Sequence, residues 1–214
     1  MSDSNVGEMT VASRTPGKRE RLVRAATELV HRQGVEKTTL AEIAEEAGVP
    51  LGNVYYYFKT KDALLDAVVE GHARGIEDTI ASLARHRTPQ GRLKGLTRLL
   101  TGRRNEIAKY GCPHGTLCSE MEKADDDHAV GRLLALPLAW LEEQFRLMGR
   151  DDAHALAIEF LVGYQGTAVL THALRDPSLL ADEGRRLERW IDSLSGGSPA
   201  GEKRPGRKRH REEN

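Results

Sequence analysis

The chain has 214 residues, of which 39% are hydrophobic and 30% charged, and its formal net charge at neutral pH is zero. That length can bury a core in one or two domains, while the neutral total excludes a global positive field, so any nucleic-acid partner has to be argued from local chemistry. Two cysteines, Cys112 and Cys118, are too few for a disulfide framework, and the N-terminus has no apolar signal segment.

Met1–Gly17 is polar, lacks periodicity and reads as a flexible arm. A first helix is predicted over Lys18–Gln33, where Leu22, Val23, Ala26, Leu29 and Val30 form one apolar stripe ahead of Gly34. Thr39 and Glu42 have capping-box spacing, so a second helix should start near Leu40, with Leu40, Ile43, Ala44 and Ala47 inward. Gly48 permits a sharp turn, and Pro50 suits the first position of a short helix ending near Tyr56. Two short helices joined this way make a helix-turn-helix, whose second helix fits a DNA major groove. Thr60 caps the next helix, which has Leu64, Leu65, Val68 and Val69 on its apolar side.

Tyr55, Tyr56, Tyr57 and Phe58 cannot all be buried in so short a helix. Phe58 and Tyr57 are expected to anchor the motif in the core, and the other rings to offer hydroxyls to phosphate, beside Lys59 and Lys61. Further helices are predicted over about 60–86, 89–110, 114–122, 127–149, 152–175 and 179–195. Asp125–Asp127 reads as an acidic helix cap, and Gly196–Asn214 as a basic, disordered tail. Leu156–Leu174 is the longest apolar stretch, but Glu159, Gln165 and His172 interrupt it, so it reads as a buried helix and not a membrane span. The expectation is a cytoplasmic, all-α protein with no membrane partner.

The segment TTLAEIAEEAGVPLGNVYYYFKTKDALL, from Thr38 to Leu65, resembles the DNA-binding signature of the tetracycline-repressor (TetR) family nearly throughout. The resemblance implies a three-helix DNA-binding domain over residues 15–62, behind an arm of residues 1–14. A helical ligand-sensing and dimerising domain over 63–195 would follow, then the tail of 196–214. Carried across position by position, Thr38, Thr39 and Tyr56 would meet phosphates and Lys61 would clamp the backbone. Gly52 would allow close approach, while Leu51, Asn53 and Tyr55 would face the groove. Pro50 stands where the family usually has serine, which removes a hydroxyl.

The small residues Gly163, Gly166, Ala168 and Ala173 within Leu156–Leu174, with Leu180, Leu187, Trp190, Ile191 and Leu194 on the last helix, fit either an intrachain core or a four-helix dimer interface. The resemblance implies the homodimer, through Phe160, Gly163, Gly166, Leu170, Leu187, Trp190, Ile191 and Leu194. Effector pockets are apolar with a few polar fixtures. The candidates are Tyr110, Leu117, Met121, Trp140, Gln144, Phe145, Tyr164, Thr167 and His172, which suggest a mainly hydrophobic small molecule.

Cys112-Pro-His-Gly-Thr-Leu-Cys118 could supply zinc ligands or a redox pair. Its cysteine spacing is wide for zinc, no lysine or arginine lies between the thiols, and a helix boundary with Cys118 in the core explains it more simply. No phosphate loop, nucleophile elbow or zinc-protease motif is present, so neither catalysis nor a cofactor is expected. The expected function is a dimeric repressor released from a near-palindromic DNA operator by its effector. The alternatives are an activator, a ligand-independent DNA binder, or a thiol sensor using Cys112 and Cys118.

Overall fold

The computed structural model describes residues 17–121 and 131–194. The arm before residue 17, Asp125–Asp127, the start of the helix expected from 127, and the tail lie outside the described residues. Among the described residues there are ten α-helices and no strand. They are α1 Lys18–Gln33, α2 Leu40–Glu46, α3 Leu51–Tyr57, α4 Lys61–Leu83, α5 Pro89–Gly102, α6 Arg104–Tyr110, α7 Pro113–Met121, α8 Arg132–Leu147, α9 Ala153–Leu174 and α10 Pro177–Leu194. None is long and apolar enough to cross a membrane.

Local chemistry sets these boundaries. At the start of α1 the Gly17 amide donates to Glu20 Oε2 at 3.0 Å, and α1 ends at Gly34, whose φ of +88° few side chains tolerate. Thr39 and Glu42 close the expected capping box: the Glu42 amide donates to Thr39 Oγ1 at 3.2 Å, and the Thr39 amide to Glu42 Oε2 at 2.9 Å. Gly48, at φ +60°, makes the turn into α3. Pro50 precedes the helix as its cap, one position earlier than expected, and its carbonyl accepts from the Asn53 amide at 2.8 Å. Thr60 and Thr88 cap α4 and α5 through their hydroxyls.

The single helix expected over 89–110 is two. Gly102, a weak helix former, is followed by Arg103 at φ −87°, ψ 13°, whose guanidinium folds forward onto Glu106, so the chain restarts as α6. At the far end of α9, Arg175 adopts a left-handed backbone with φ 56°. Its guanidinium donates to the carbonyls of Ala108 and Lys109, capping α6 from across the fold.

Two main cores result. The first joins α1–α4, among them Leu22, Ile43, Val54, Phe58, Leu64 and Val68, and extends to Leu117 of α7 and Leu133 of α8. The second joins Leu83 at the end of α4 with α5, α8, α9 and α10 around Leu93, Phe145, Phe160, Leu187 and Ile191. Helix α4 thus contributes to both. Three interface candidates are corrected here: Phe160, Leu187 and Ile191 are fully buried within the chain, because α10 turns their apolar side onto α5 and α9. Trp190 and Leu194 are partly buried against the same core.

Candidate nucleic-acid interface and effector cavity

Helix α3 is amphipathic in the sense a DNA reader needs. Val54 and the following Phe58 point into the first core, and Arg19 of α1 lies over the Phe58 ring at 5.2 Å. The opposite face leaves Leu51, Gly52, Tyr55 and Tyr56 exposed, with Pro50 and Lys59 beside it, and Asn53 is half-buried. Tyr56 is the most open, at 76% exposure. Tyr57 was expected in the core and is exposed instead, edge-on to Tyr56 at 5.0 Å between centroids. Val54 and Phe58 already take the inward face, and Tyr57 is left on the outer one.

Two proposed phosphate contacts have other work in this structure. Thr38 is 1% exposed and its hydroxyl donates to the Gly34 carbonyl at 2.7 Å, so its side chain does not reach the surface, and it leaves the contact set. Thr39 stays exposed as the α2 cap. Lys61 Nζ donates to the Val35 carbonyl at 2.6 Å and so braces the α1–α2 turn. The same turn is held from the other side by Glu120 of α7, whose carboxylate accepts from the Val35 amide. A β-carbon at Gly34 would stand 2.9 Å from Glu120 Oε1, so the glycine allows both the backbone turn and this approach.

A cavity of about 960 Å³ opens behind this domain. The later turns of α4 wall one side, from Gly71 and His72 through Ser82; Val23 and Thr27 of α1 join them. Leu96, Leu99 and Leu100 of α5, Leu133, Leu134 and Pro137 of α8, and Leu161 of α9 make the lining mainly apolar. Its polar fixtures include His72, Arg103, His114, Tyr164 and Gln165. Burial holds the His114 imidazole down to about 4, with His72, Arg103 and His31 adding to the effect. Burial also lowers His72, with His31 and Arg103 adding to it. Burial raises the Tyr164 phenol well above its ordinary range, and its oxygen lies 3.8 Å from the buried Cys112 thiol.

Of the nine effector candidates, Trp140 and Tyr164 line this cavity. Tyr110 and His172 border a separate polar crevice of about 290 Å³. Leu117 and Met121 are corrected to the first core, where α7 packs on α1–α4. Gln144 and Phe145 are corrected to the second: Gln144 accepts from Arg92 Nη1 at 2.7 Å, and Phe145 meets Trp190 at 5.6 Å. Thr167 borders neither space. His72 and Arg103 were missed. The signal for His72 was a histidine between Gly71 and Gly75, where small residues on one helix leave room beside a polar one.

On α9, Ile158, Val162, Gly166, Val169, Leu170 and Leu174 recur at helical spacing and are all exposed. Only Gly166 and Leu170 were among the interface candidates. Gly163 is instead covered, because a β-carbon there would meet Glu183 Oε1 at 2.6 Å. Near the cysteine segment, Cys112 is buried, and Cys118 is partly buried against the first core.

Residues 22–68 match the family model described as bacterial regulatory proteins, tetR family. An uncharacterized HTH-type transcriptional regulator from Lactococcus lactis is 28% identical over 51% of this chain, and the matched part spans 57% of that relative. The HTH-type transcriptional regulator TtgR of Pseudomonas putida is 28% identical across 82% of this chain and 88% of its own. A TetR transcriptional regulator from Legionella pneumophila shares the fold at a TM-score of 0.73 and 17% identity, covering 84% of this chain and 98% of that one. The matched signature, the all-helical fold and these relatives agree: residues 22–68 carry the tetR-family DNA-binding segment, and the chain is similar along most of its length to transcriptional regulators of that family.

Proposed function

We propose that the protein is a dimeric repressor, released from a near-palindromic operator when a small, mainly hydrophobic effector fills the cavity. The observation that carries this reading is the position of α4. Its first turns bury Leu64, Leu65, Val68 and Val69 in the DNA-binding core, and its later turns wall the cavity. A ligand that favours one setting of α4 therefore biases the placement of α3, and it acts only through that difference in affinity. Pairing through the apolar stripe of α9 would set two α3 helices at a fixed spacing, which a two-fold operator matches. On α3 and its flanks, Leu51, Gly52, Asn53 and Tyr55 face the groove, with Thr39, Pro50, Tyr56 and Lys59 beside the phosphates. A DNA partner also implies a cytoplasmic location.

The test is a footprint of the full-length protein on its own upstream intergenic DNA, followed by release with small molecules. Two symmetric half-sites about 34 Å apart, or a multiple of that, are expected. Gly75→Leu should keep operator binding and lose release, because a side chain at this cavity-lining position meets open space. An asymmetric footprint, or release that survives filling the cavity, would overturn the reading.

A further inference from the structure

The cavity is not uniformly apolar, and a subset of its polar groups comes together from separate helices. His72 comes from α4 and His114 from the first turn of α7, with ring centroids 5.2 Å apart and planes at 85°. Gln165 of α9 reaches the same place: a β-carbon on Gly115, next to His114, would stand 3.1 Å from its Oε1. Arg103 lines the cavity too. Among the described residues, none of the side chains of His72, His114 and Gln165 has a hydrogen-bond partner, and all three border the cavity, half-buried. Groups of this kind are matched either by ordered water or by a ligand.

The charge acting on the two imidazoles has one sign, although the cavity lining as a whole carries both. Besides each other, the charged and titratable groups acting on the two imidazoles are His31 of α1 and Arg103 ahead of α6, and no carboxylate is among them. Tyr164 and Cys112 are close by, but they face each other. Glu106 is turned onto Arg103 Nε and Nη2, leaving Nη1 unused by that pair. Of the three acidic lining residues, Asp78 stands six residues along α4 from His72, about 9 Å of helix rise, Glu28 accepts from Arg32, and Glu20 accepts from the Gly17 amide at the start of α1. A cationic ligand head here would face Arg103 with no counter-ion of its own. An anionic head would accept from both imidazoles and the amide, and its charge would draw a proton from solvent onto the pair.

Resting on the effector reading above, we infer that the effector is an amphipathic organic acid. Its carboxylate-class head sits among His72, His114, Gln165 and Arg103, and its apolar body lies along Leu96, Leu100, Leu133, Pro137, Trp140 and Leu161. The cavity is at the large end of the range for small-molecule sites, so the body is aryl or branched and bulky.

The experiment is calorimetric titration of the full-length protein with three probes sharing one body: 2-naphthylacetate, 2-naphthylacetamide and 2-naphthylethylamine. The acid should bind about tenfold more tightly than the amide, and more tightly still than the amine. Its binding should take up a proton, seen as an enthalpy that changes with the ionisation heat of the buffer. His114→Gln and, independently, Arg103→Gln should each remove most of the acid's advantage and leave amide binding in place. Equal binding of acid and amide, no binding of the acid, or an acid preference that survives both substitutions would overturn the inference.

An anisotropy assay on operator DNA separates the two readings. Tight acid binding without DNA release keeps the head-group assignment and sinks the effector role. Release by amide and acid at equal concentrations does the reverse.

Discussion

Lys61 sits between two roles that make different demands on it. As a phosphate clamp it would have to reach into solvent, yet its ammonium is drawn onto the Val35 carbonyl. Lys61→Ala should therefore lower thermal stability by about 1 kcal/mol, the scale of one intramolecular hydrogen bond. The salt dependence of DNA binding should hardly change, whereas a lost phosphate contact would reduce its slope by about 0.9. Tyr56→Phe should do the opposite: its hydroxyl makes no bond among the described residues, so stability should hold while operator affinity drops. Melting curves and binding titrations on the two variants check both. His114 adds an acid sensitivity. It is neutral in the fold down to about 4 but takes a proton near 6.5 once unfolded. Between those values the unfolded chain binds more protons, so stability should fall as pH drops, by up to about 1.4 kcal/mol per unit. His72 shifts the same way and titrates with it. Denaturant unfolding from pH 7.5 to 4.5 should show this slope, and His114→Gln should flatten it.

Among the helices, α9 carries the largest demand not met within one chain. Val162 and Val169 are 65% and 66% exposed in the middle of a helix whose other side is core. Contiguous apolar surface of this sort marks an interaction site. Val162→Glu should leave the helical content unchanged and yield a monomer by sedimentation. Losing the second α3 would then cost operator affinity on the scale of about 10²–10⁴, the usual gain from linking two binding modules. A Val162→Glu dimer would place the pairing surface elsewhere. The same element shows why some residues expected at the pairing surface lie in the chain's own core. Periodicity gives the apolar positions of α9 and α10 but not which side a neighbour takes. Phe160, Leu187 and Ile191 went to the chain's own core, and the stripe from Ile158 to Leu174 was left outside. The break at Gly102–Arg103 was hidden for a similar reason, because the apolar rhythm of α5 and α6 continues across it.

At the scale of the whole chain, the all-helical class and the helix-turn-helix were readable because their determinants are local. A capping box, two punctuating glycines and a dense aromatic run lie within about thirty residues of one another. The cavity was much less readable. His72, Arg103 and His114 lie on separate elements, and only the packing of α4, α7 and the α5–α6 junction brings them to one space. The zero net charge also finds its place, since the proposed contacts with DNA are confined to one face of α3 and its flanks. One further consequence comes from the chain's two tryptophans. Trp140 lines the cavity, while Trp190 is packed against Phe145 in the second core. The protein thus carries two optical labels in different surroundings. Emission from Trp140 reports what enters the cavity, emission from Trp190 reports whether α10 stays docked, and Trp190→Phe leaves a single tryptophan, excited apart from the tyrosines, beside the ligand, with no dye attached.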